Sequence, residues 1–521
     1  MKYVSSNGRF ALYAIAGVLA ATTLCASGAA FAAANPVLAI AQEPDSLDPY
    51  NTNMTFAQAI TKSFYEGLFR FDKDLKIVPV LATGYDMSKD GTVYTFKLRK
   101  GVKFQDGTDF NADAVKVNLE RAMAPENHLI RAPQFNRIVK VEAVDPLTVR
   151  ITLKEPFAPF INSLAHPSAA MISPTALKKY GNKDIAFHPV GTGEFELVSF
   201  DQKDGVKLKK FDGYWNKGFP KVDGLTWKPV AENATRAAML QTGEADFAYP
   251  LPYEQAAQLK ADSKLDVVTS KSIVTRFIGF NMLQKPFTDA RVRQAIAYAI
   301  NKPALVKVAF NGYAIPAEGI VPQGIPFAEK MAPIPYNPVK ARELLKEAGY
   351  PNGFETTLWS AYTTTTARKT IEFVQQQLAQ VGIKVQIEAL ETGKRVQLVD
   401  SWPDPNTAKM RMYYTGWSSS TGEADWALRP LFASEAWSPK LNNMTYYKND
   451  LVDTDIAKAL VSTDNTEKAA LYKAVQDQLA KDLPRIPLVT EENVSGNTKR
   501  LSGVYAQPDG NIDIYNIAVS K

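Results

Sequence analysis

The chain is poor in the residues that most chemistry requires. It holds one cysteine, Cys25, and three histidines in 521 residues. A lone thiol closes no internal disulfide and cannot build a cysteine-based zinc or iron–sulfur site. His128, His166 and His188 stand far apart, and none has a metal-ligating partner three or four positions away, so surface or packing roles are predicted for each. The zinc-protease pair His-Glu-x-x-His, the phosphate loop Gly-x4-Gly-Lys-Ser/Thr and the hydrolase turn Gly-x-Ser-x-Gly are all missing. Gly191-Thr-Gly193 lacks the remaining glycines of a phosphate turn and reads as the entry to a tight hairpin. Glu491-Glu492 and Asp45/Asp48 are read as solvated, because a catalytic dyad needs a buried pair. The sequence therefore predicts no enzyme, no metal and no cofactor.

Charge of one sign is also scarce. Lys+Arg is 60 and Asp+Glu is 54, interleaved throughout, which is no nucleic-acid footprint. Apolar residues are 45% and charged residues 22%, an ordinary globular balance. The one long uncharged apolar stretch is at the start. Lys2 and Arg9 precede Phe10–Leu19, and small residues follow as far as Ala30-Phe-Ala-Ala-Ala34. A basic start, an apolar middle and an Ala-x-Ala end describe a cleavable export signal, residues 1–32, with a cut after Ala34 as second choice. Leu24 before Cys25 is too large for lipoprotein processing. The exported chain would lack cysteine and carry 58 basic against 54 acidic residues, net +4. This suits a soluble periplasmic protein.

Elsewhere, strand-like and helix-like segments alternate, which is α/β patterning. Phe354–Trp359 reads as a strand and Ser360–Thr366 as a polar loop. Ile371, Val374, Leu378 and Val381 recur at helical spacing, and Gly382 stands at a helix stop. Ile383, Val385 and Ile387 then alternate as a half-buried strand. A strand–helix–strand unit of this kind is a right-handed crossover onto a parallel sheet. A further strand, Met410–Thr415, leads into the loop Gly416–Ala424. Ligands of open α/β sheets bind beyond the carboxyl ends of strands, and both loops leave such ends. Both are rich in hydroxyls and flanked by Trp359, Tyr362, Tyr414, Trp417 and Trp426, which suits a small polar ligand.

Several segments resemble a known family. Asp48-Pro-Tyr50 and Phe64-Tyr-Glu-Gly-Leu68, then Asp90–Gly107 and Phe110–Ala114, are similar to the signature of family 5 of the extracellular solute-binding proteins, which serve peptide and nickel ABC importers. Pro189–Gly193, Gly213-Tyr-Trp215, Gln241–Asp246 and Asp289–Ala295 match its later landmarks in order. Within the family, Arg236–Ala245, Ala341–Phe354, Tyr414–Ser418 and Ser420–Leu428 resemble the glutathione-binding branch. The resemblance implies an α/β, two-lobed periplasmic binding protein, type II-like and of cluster C, with an extra inserted subdomain. It places a discontinuous first lobe at 33–75, 190–275 and 490–521, the inserted subdomain at 76–189 and a second lobe at 276–489. Asp90–Gly107 is read there as two short strands with turns. The implied function is capture of glutathione between the lobes and delivery to a permease and ATPase complex of the inner membrane. The protein would be a monomer with no nucleic-acid partner. A di- or oligopeptide, or haem, is the alternative ligand within the family, and a periplasmic chaperone is the alternative of another class.

The peptide-binding members carry an aspartate three residues beyond the Gly-Trp landmark, where it holds the peptide ammonium. Here the tryptophan is Trp417 and that position is Ser420. Glu423 and Asp425 lie close enough to meet an ammonium placed differently. The hydroxyls of Ser418, Ser419 and Ser420, with the helix that begins at Trp426, suit a carboxylate. Glutathione has two carboxylates, so a binder should offer arginine, whose planar fork makes paired hydrogen bonds. Arg131 and Arg276 are the candidates, with Arg368 behind them. Tyr50, Thr52, Asn53, Trp359, Tyr362 and Trp417 complete the expected ligand-binding set.

Overall fold

The computed structural model describes residues 35–201 and 203–520. The expected export signal and Cys25 lie outside the described residues.

Two long strands organise the molecule. Leu265–Phe280 has 16 residues and Arg485–Thr498 has 14. They pair antiparallel, from Leu265 opposite Thr498 to Gly279 opposite Arg485, but the register shifts between Lys271 and Thr275. Such a shift interrupts the ladder and bends the ribbon locally. Before the break the ribbon carries Phe247–Tyr249, then Val37–Ile40, Gly224–Pro229, Gly205–Lys210 and Phe195–Asp201. Beyond it the ribbon carries Met412–Ser418, Glu355–Ser360 and Lys384–Ala389. One path of ten strands thus runs through two lobes, with Ala314–Pro316 as an eleventh strand beside Arg485–Thr498 off the path, and the chain crosses between the lobes in the ribbon.

The second lobe is built as the periodicity predicts. Glu355–Ser360 and Lys384–Ala389 pair in parallel, joined by the helix Thr365–Ala379. Thr364 caps that helix by accepting from the Ala367 N–H at 3.3 Å. Ile371, Val374 and Leu378 bury its apolar face, and Gly382 turns the chain at φ +89°. The next strand is displaced from its predicted place. It spans Met412–Ser418 rather than Met410–Thr415, because Gly416, Trp417 and Ser418 pair with Arg276, Thr275 and Val274 of the ribbon. The loop therefore begins at Ser419.

In the first lobe an antiparallel sheet, Ala82–Met87, Val93–Leu98, Thr148–Leu153 and Ile138–Asp145, packs under the helix Ala112–Met123. Only one strand forms within Asp90–Gly107; the second half is a loop closed by a Lys103–Asp109 bridge, with Gly107 at φ +83°. This sheet shares one apolar cluster with the first and last segments of the chain, through Phe96, Val149, Tyr65 and Ile514. Gly191 and Gly193 are close-approach glycines rather than a phosphate turn. A Cβ on Gly191 would stand 2.2 Å from the Phe64 carbonyl oxygen.

The lobes meet in polar contacts and in packing, where Leu75 joins the apolar cluster of Ile320, Val321 and Leu428 and Tyr253 stacks on Tyr313. Asn162 donates from Nδ2 to the Thr421 carbonyl at 2.8 Å, the Ala158 N–H donates to the Leu460 carbonyl at 2.9 Å, and Lys369 meets Glu254 at 2.9 Å.

Candidate functional site

The first-lobe wall is set by Asp48. Pro49–Asn51 is a single turn of 3-10 helix, and the Asp48 carboxylate caps it by accepting from the Tyr50 N–H at 3.0 Å. The same carboxylate is fully buried and takes Arg121 at 2.5 Å and 3.3 Å. Asp48 was expected to be solvated; its burial is matched by this fork. Tyr50 is buried against Phe135, with its hydroxyl bonded to nothing. Its carbonyl accepts from the Arg131 N–H at 3.1 Å. Thr52 is buried too, its hydroxyl donating to Asp45 at 2.6 Å and accepting from the Met54 N–H. Asn53 is exposed.

Arg131 is the informative cation. Its Nε donates to the Thr52 carbonyl at 2.9 Å, and among the described residues it has no carboxylate within 4 Å as an ion-pair partner. Burial pulls its pKa down to about 10, with Asp45 opposing, so it stays charged at neutral pH. A half-buried guanidinium with donors to spare is what an anionic ligand needs. Next to it lies His166, buried, its Nδ1 facing the Ser168 hydroxyl at 2.7 Å. Burial, then the charges of Arg131 and Lys62, hold His166 well below the usual histidine range, so the ring is neutral.

Arg276 is placed differently. It grips Glu491 with Nε at 2.8 Å and Nη2 at 3.0 Å and lies 4.5 Å over the Tyr362 ring. Glu491 is therefore paired across the two crossing strands, not solvated. Arg276 and Tyr362 stand at the second-lobe end of the ribbon. Arg368 is exposed and bonded to the Thr363 carbonyl.

On the second lobe, the loop after Ser418 carries the hydroxyls. Those of Ser418, Ser419 and Thr421 are buried and have no hydrogen-bond partner among the described residues, and Ser420 is half-buried among them. Buried hydroxyls without partners cost free energy, which a polar ligand atom or a water reaching them would offset. The Asn162 bond to Thr421 brings this loop against the first lobe.

Three expectations are corrected. Trp359 is a core residue, packed in one cluster with Leu390, Val399, Met410 and Tyr413, which Ala361 and Tyr362 of the loop also join. Glu423 and Asp425 have no free charge for a ligand ammonium. Lys468 meets Glu423 at 3.2 Å, and Arg429 forks onto Asp425 at 2.9 Å and 3.0 Å. The helix Asp425–Phe432 is not an open carboxylate site either, since Glu423 already accepts from the Asp425 N–H at 2.6 Å. Trp417 spends its indole N–H on the Trp426 carbonyl and braces the loop.

Sequence reading missed Lys62, Gln507 and Asp509. With His166 they line a cavity of about 80 Å³ that runs back to Glu66, Glu194 and Tyr515. Asp509-Gly510 carries a turn signal, but nothing in the sequence brings it to Lys62. The rear of the cavity holds two acids, Glu66 half-buried and Glu194 buried. Glu66 accepts from Tyr214, Trp215 and Thr192 at 2.7–2.9 Å, and burial still raises it to about 7. Burial, with Glu66 nearby, pushes Glu194 well above the carboxyl range, and its Oε2 has no partner. Raised carboxyl pKa values stabilise the fold below the ordinary value of 4.5, and that stability is lost as pH rises through the folded value. The melting temperature should fall between pH 5 and pH 8. Glu194→Gln keeps the shape without the charge, so its melting curve should move less over that range. An unchanged pH slope would show that Glu194 does not carry the effect.

The geometry has a precedent in sequence. The profile of bacterial extracellular solute-binding proteins, family 5 middle, matches residues 76–439. The chain belongs to family 5. This family 5 protein is 57% identical over 489 residues to the glutathione-binding protein GsiB of Escherichia coli K12, covering 94% of this chain and 95% of GsiB. Among solved structures it resembles a periplasmic binding protein, DppA of Helicobacter pylori in complex with the peptide STSA. The TM-score is 0.78 at 30% identity, covering 94% of this chain and 99% of DppA. HbpA2 of Haemophilus parasuis matches with a TM-score of 0.80 at 27% identity, covering 94% and 100%. The two-lobed binding-protein fold is thus shared along almost the whole family 5 chain. Its relatives are solute-binding proteins, not enzymes.

Proposed function

We propose that this protein captures glutathione between its lobes in the periplasm and delivers it to an ABC permease. The observation that carries the reading is the 57% identity to GsiB along 94% of the chain. Three features of the site support it. Arg131 offers a cation with no carboxylate partner. The Ser418–Thr421 hydroxyls have no partners. The position that is aspartate in peptide-binding members is Ser420.

Capture works by hinge closure. Only a bridging ligand satisfies both the first-lobe cation and the second-lobe hydroxyls, so binding favours the closed form. The register break at Lys271–Thr275 lies where the ribbon passes between lobes and is the proposed hinge. The surface ion pair Lys369–Glu254 adds little to holding the lobes together. Residues 1–32 act as the export signal in this reading, and the mature protein is a monomer.

Calorimetric titration with glutathione, its disulfide, a dipeptide and haem tests the function. One-to-one saturable binding of glutathione without turnover supports it; preference for the dipeptide would favour the peptide reading that the DppA likeness keeps open. Ser420→Asp puts a negative charge beside the proposed carboxylate. It should weaken glutathione binding by roughly 1–3 kcal/mol, whereas Ser420→Ala should cost less. Equal, near-wild-type affinity in both variants would place Ser420 outside the site.

A further inference from the structure

With Glu423, Asp425 and Glu491 each held by an internal cation, another acid has to meet a ligand's ammonium. Asp509 has the right surroundings. Its loop is pinned to both crossing strands at the register break. The Pro508 carbonyl accepts from the Ile273 N–H at 2.9 Å, and the Gln507 carbonyl accepts from Asn493 Nδ2 at 2.8 Å. Gly510 turns the loop at φ +84°, and a Cβ there would stand 3.4 Å from the Tyr249 hydroxyl. Asp509 is therefore held rigidly at the crossing between lobes. Its carboxylate accepts from the Asn511 N–H at 2.9 Å and, among the described residues, makes no ion pair within 4 Å.

Facing the same cavity is Lys62, just past the end of the helix Thr55–Thr61. Its Nζ donates to Gln507 Oε1 at 2.8 Å and likewise makes no ion pair within 4 Å among the described residues. Burial raises Asp509, against the Asn511 N–H and the charge of Lys62, and lowers Lys62, against the charges of Asp513 and Asp509, so the two sense each other across the cavity without making contact. The cavity they share also reaches Arg70, Glu66, Glu194 and Asp513. Arg70 is taken by Asp513 at 3.5 Å, and Glu66 by its three donors.

An acid and an amine that face one cavity without touching are complementary to the head of an amino acid, in which ammonium and carboxylate share one carbon. In glutathione that head is the γ-linked glutamate. We propose that Asp509 receives the ligand's α-ammonium and Lys62 the α-carboxylate beside it. Asp509 thereby takes over, from the opposite lobe, the role that Ser420 cannot fill. The assignment rests on the ligand being an amino-acid or peptide zwitterion, and it gives Arg131 the remote carboxylate.

The test compares glutathione with glutaryl-cysteinyl-glycine, the same molecule without the ammonium, on the wild-type chain and on Asp509→Asn. Wild type should prefer glutathione by roughly tenfold to a hundredfold. In Asp509→Asn that preference should collapse towards one, chiefly through loss of glutathione affinity. A variant that keeps the wild-type preference, or that loses both ligands equally, overturns the proposal. Asp509→Ser, another neutral side chain, carries the same comparison should the Asn variant fail to fold. If wild type binds a dipeptide and not glutathione, the glutathione reading fails; the Asp509 assignment is then decided by the dipeptide and its des-amino form in the same four titrations.

Discussion

Arg131→Met is expected to remove most of the affinity for glutathione, by about 2–5 kcal/mol, the usual effect of truncating one partner of a desolvated charge pair. At the low end that is roughly a thirtyfold weaker dissociation constant. The fold should survive, because the guanidinium has no carboxylate partner to be orphaned and gives up only its bond to the Thr52 carbonyl. Methionine fills similar volume with no charge. Arg131→Lys should recover part of the loss, since it restores charge but not the planar fork. Titration of the three proteins, each with a thermal melt, checks this. Wild-type affinity in Arg131→Met would remove Arg131 from the site.

The second large effect concerns stability. Arg121→Leu should destabilise the protein by about 3–5 kcal/mol at neutral pH, because it strands the Asp48 carboxylate inside the first lobe. Asp48 is fully buried and caps the turn that presents Tyr50, so the damage should spread to the site wall. Asp48→Asn combined with Arg121→Leu should cost clearly less than Arg121→Leu alone, since no unpaired charge then remains. Denaturant midpoints report the difference. Equal midpoints for wild type and Arg121→Leu would mean that the pair contributes little.

The fold was largely legible where periodicity is strong. The helix with Ile371, Val374 and Leu378, its stop at Gly382 and the parallel strands on either side follow from local spacing. The strand Met412–Ser418 was misplaced because its last three residues are fixed by pairing with Val274–Arg276, a long-range contact with no local sign. The site divided in the same way. The hydroxyl loop and Arg131 could be picked out by residue type. Trp359 looked like a ligand wall but faces the core, since composition does not reveal which face of a strand a ring takes. Glu423 and Asp425 looked free because Lys468 and Arg429 reach them only in the folded chain. Lys62 and Asp509 were invisible because they come from opposite ends of the sequence and meet only across the cavity.

The most direct test of the central claim is a crystal structure of the protein saturated with glutathione. One molecule should lie between the lobes, with a carboxylate on Arg131, the amino-acid head between Lys62 and Asp509, and the Ser418–Thr421 loop closing over it. Glutathione bound outside the cleft, or touching one lobe alone, would contradict it.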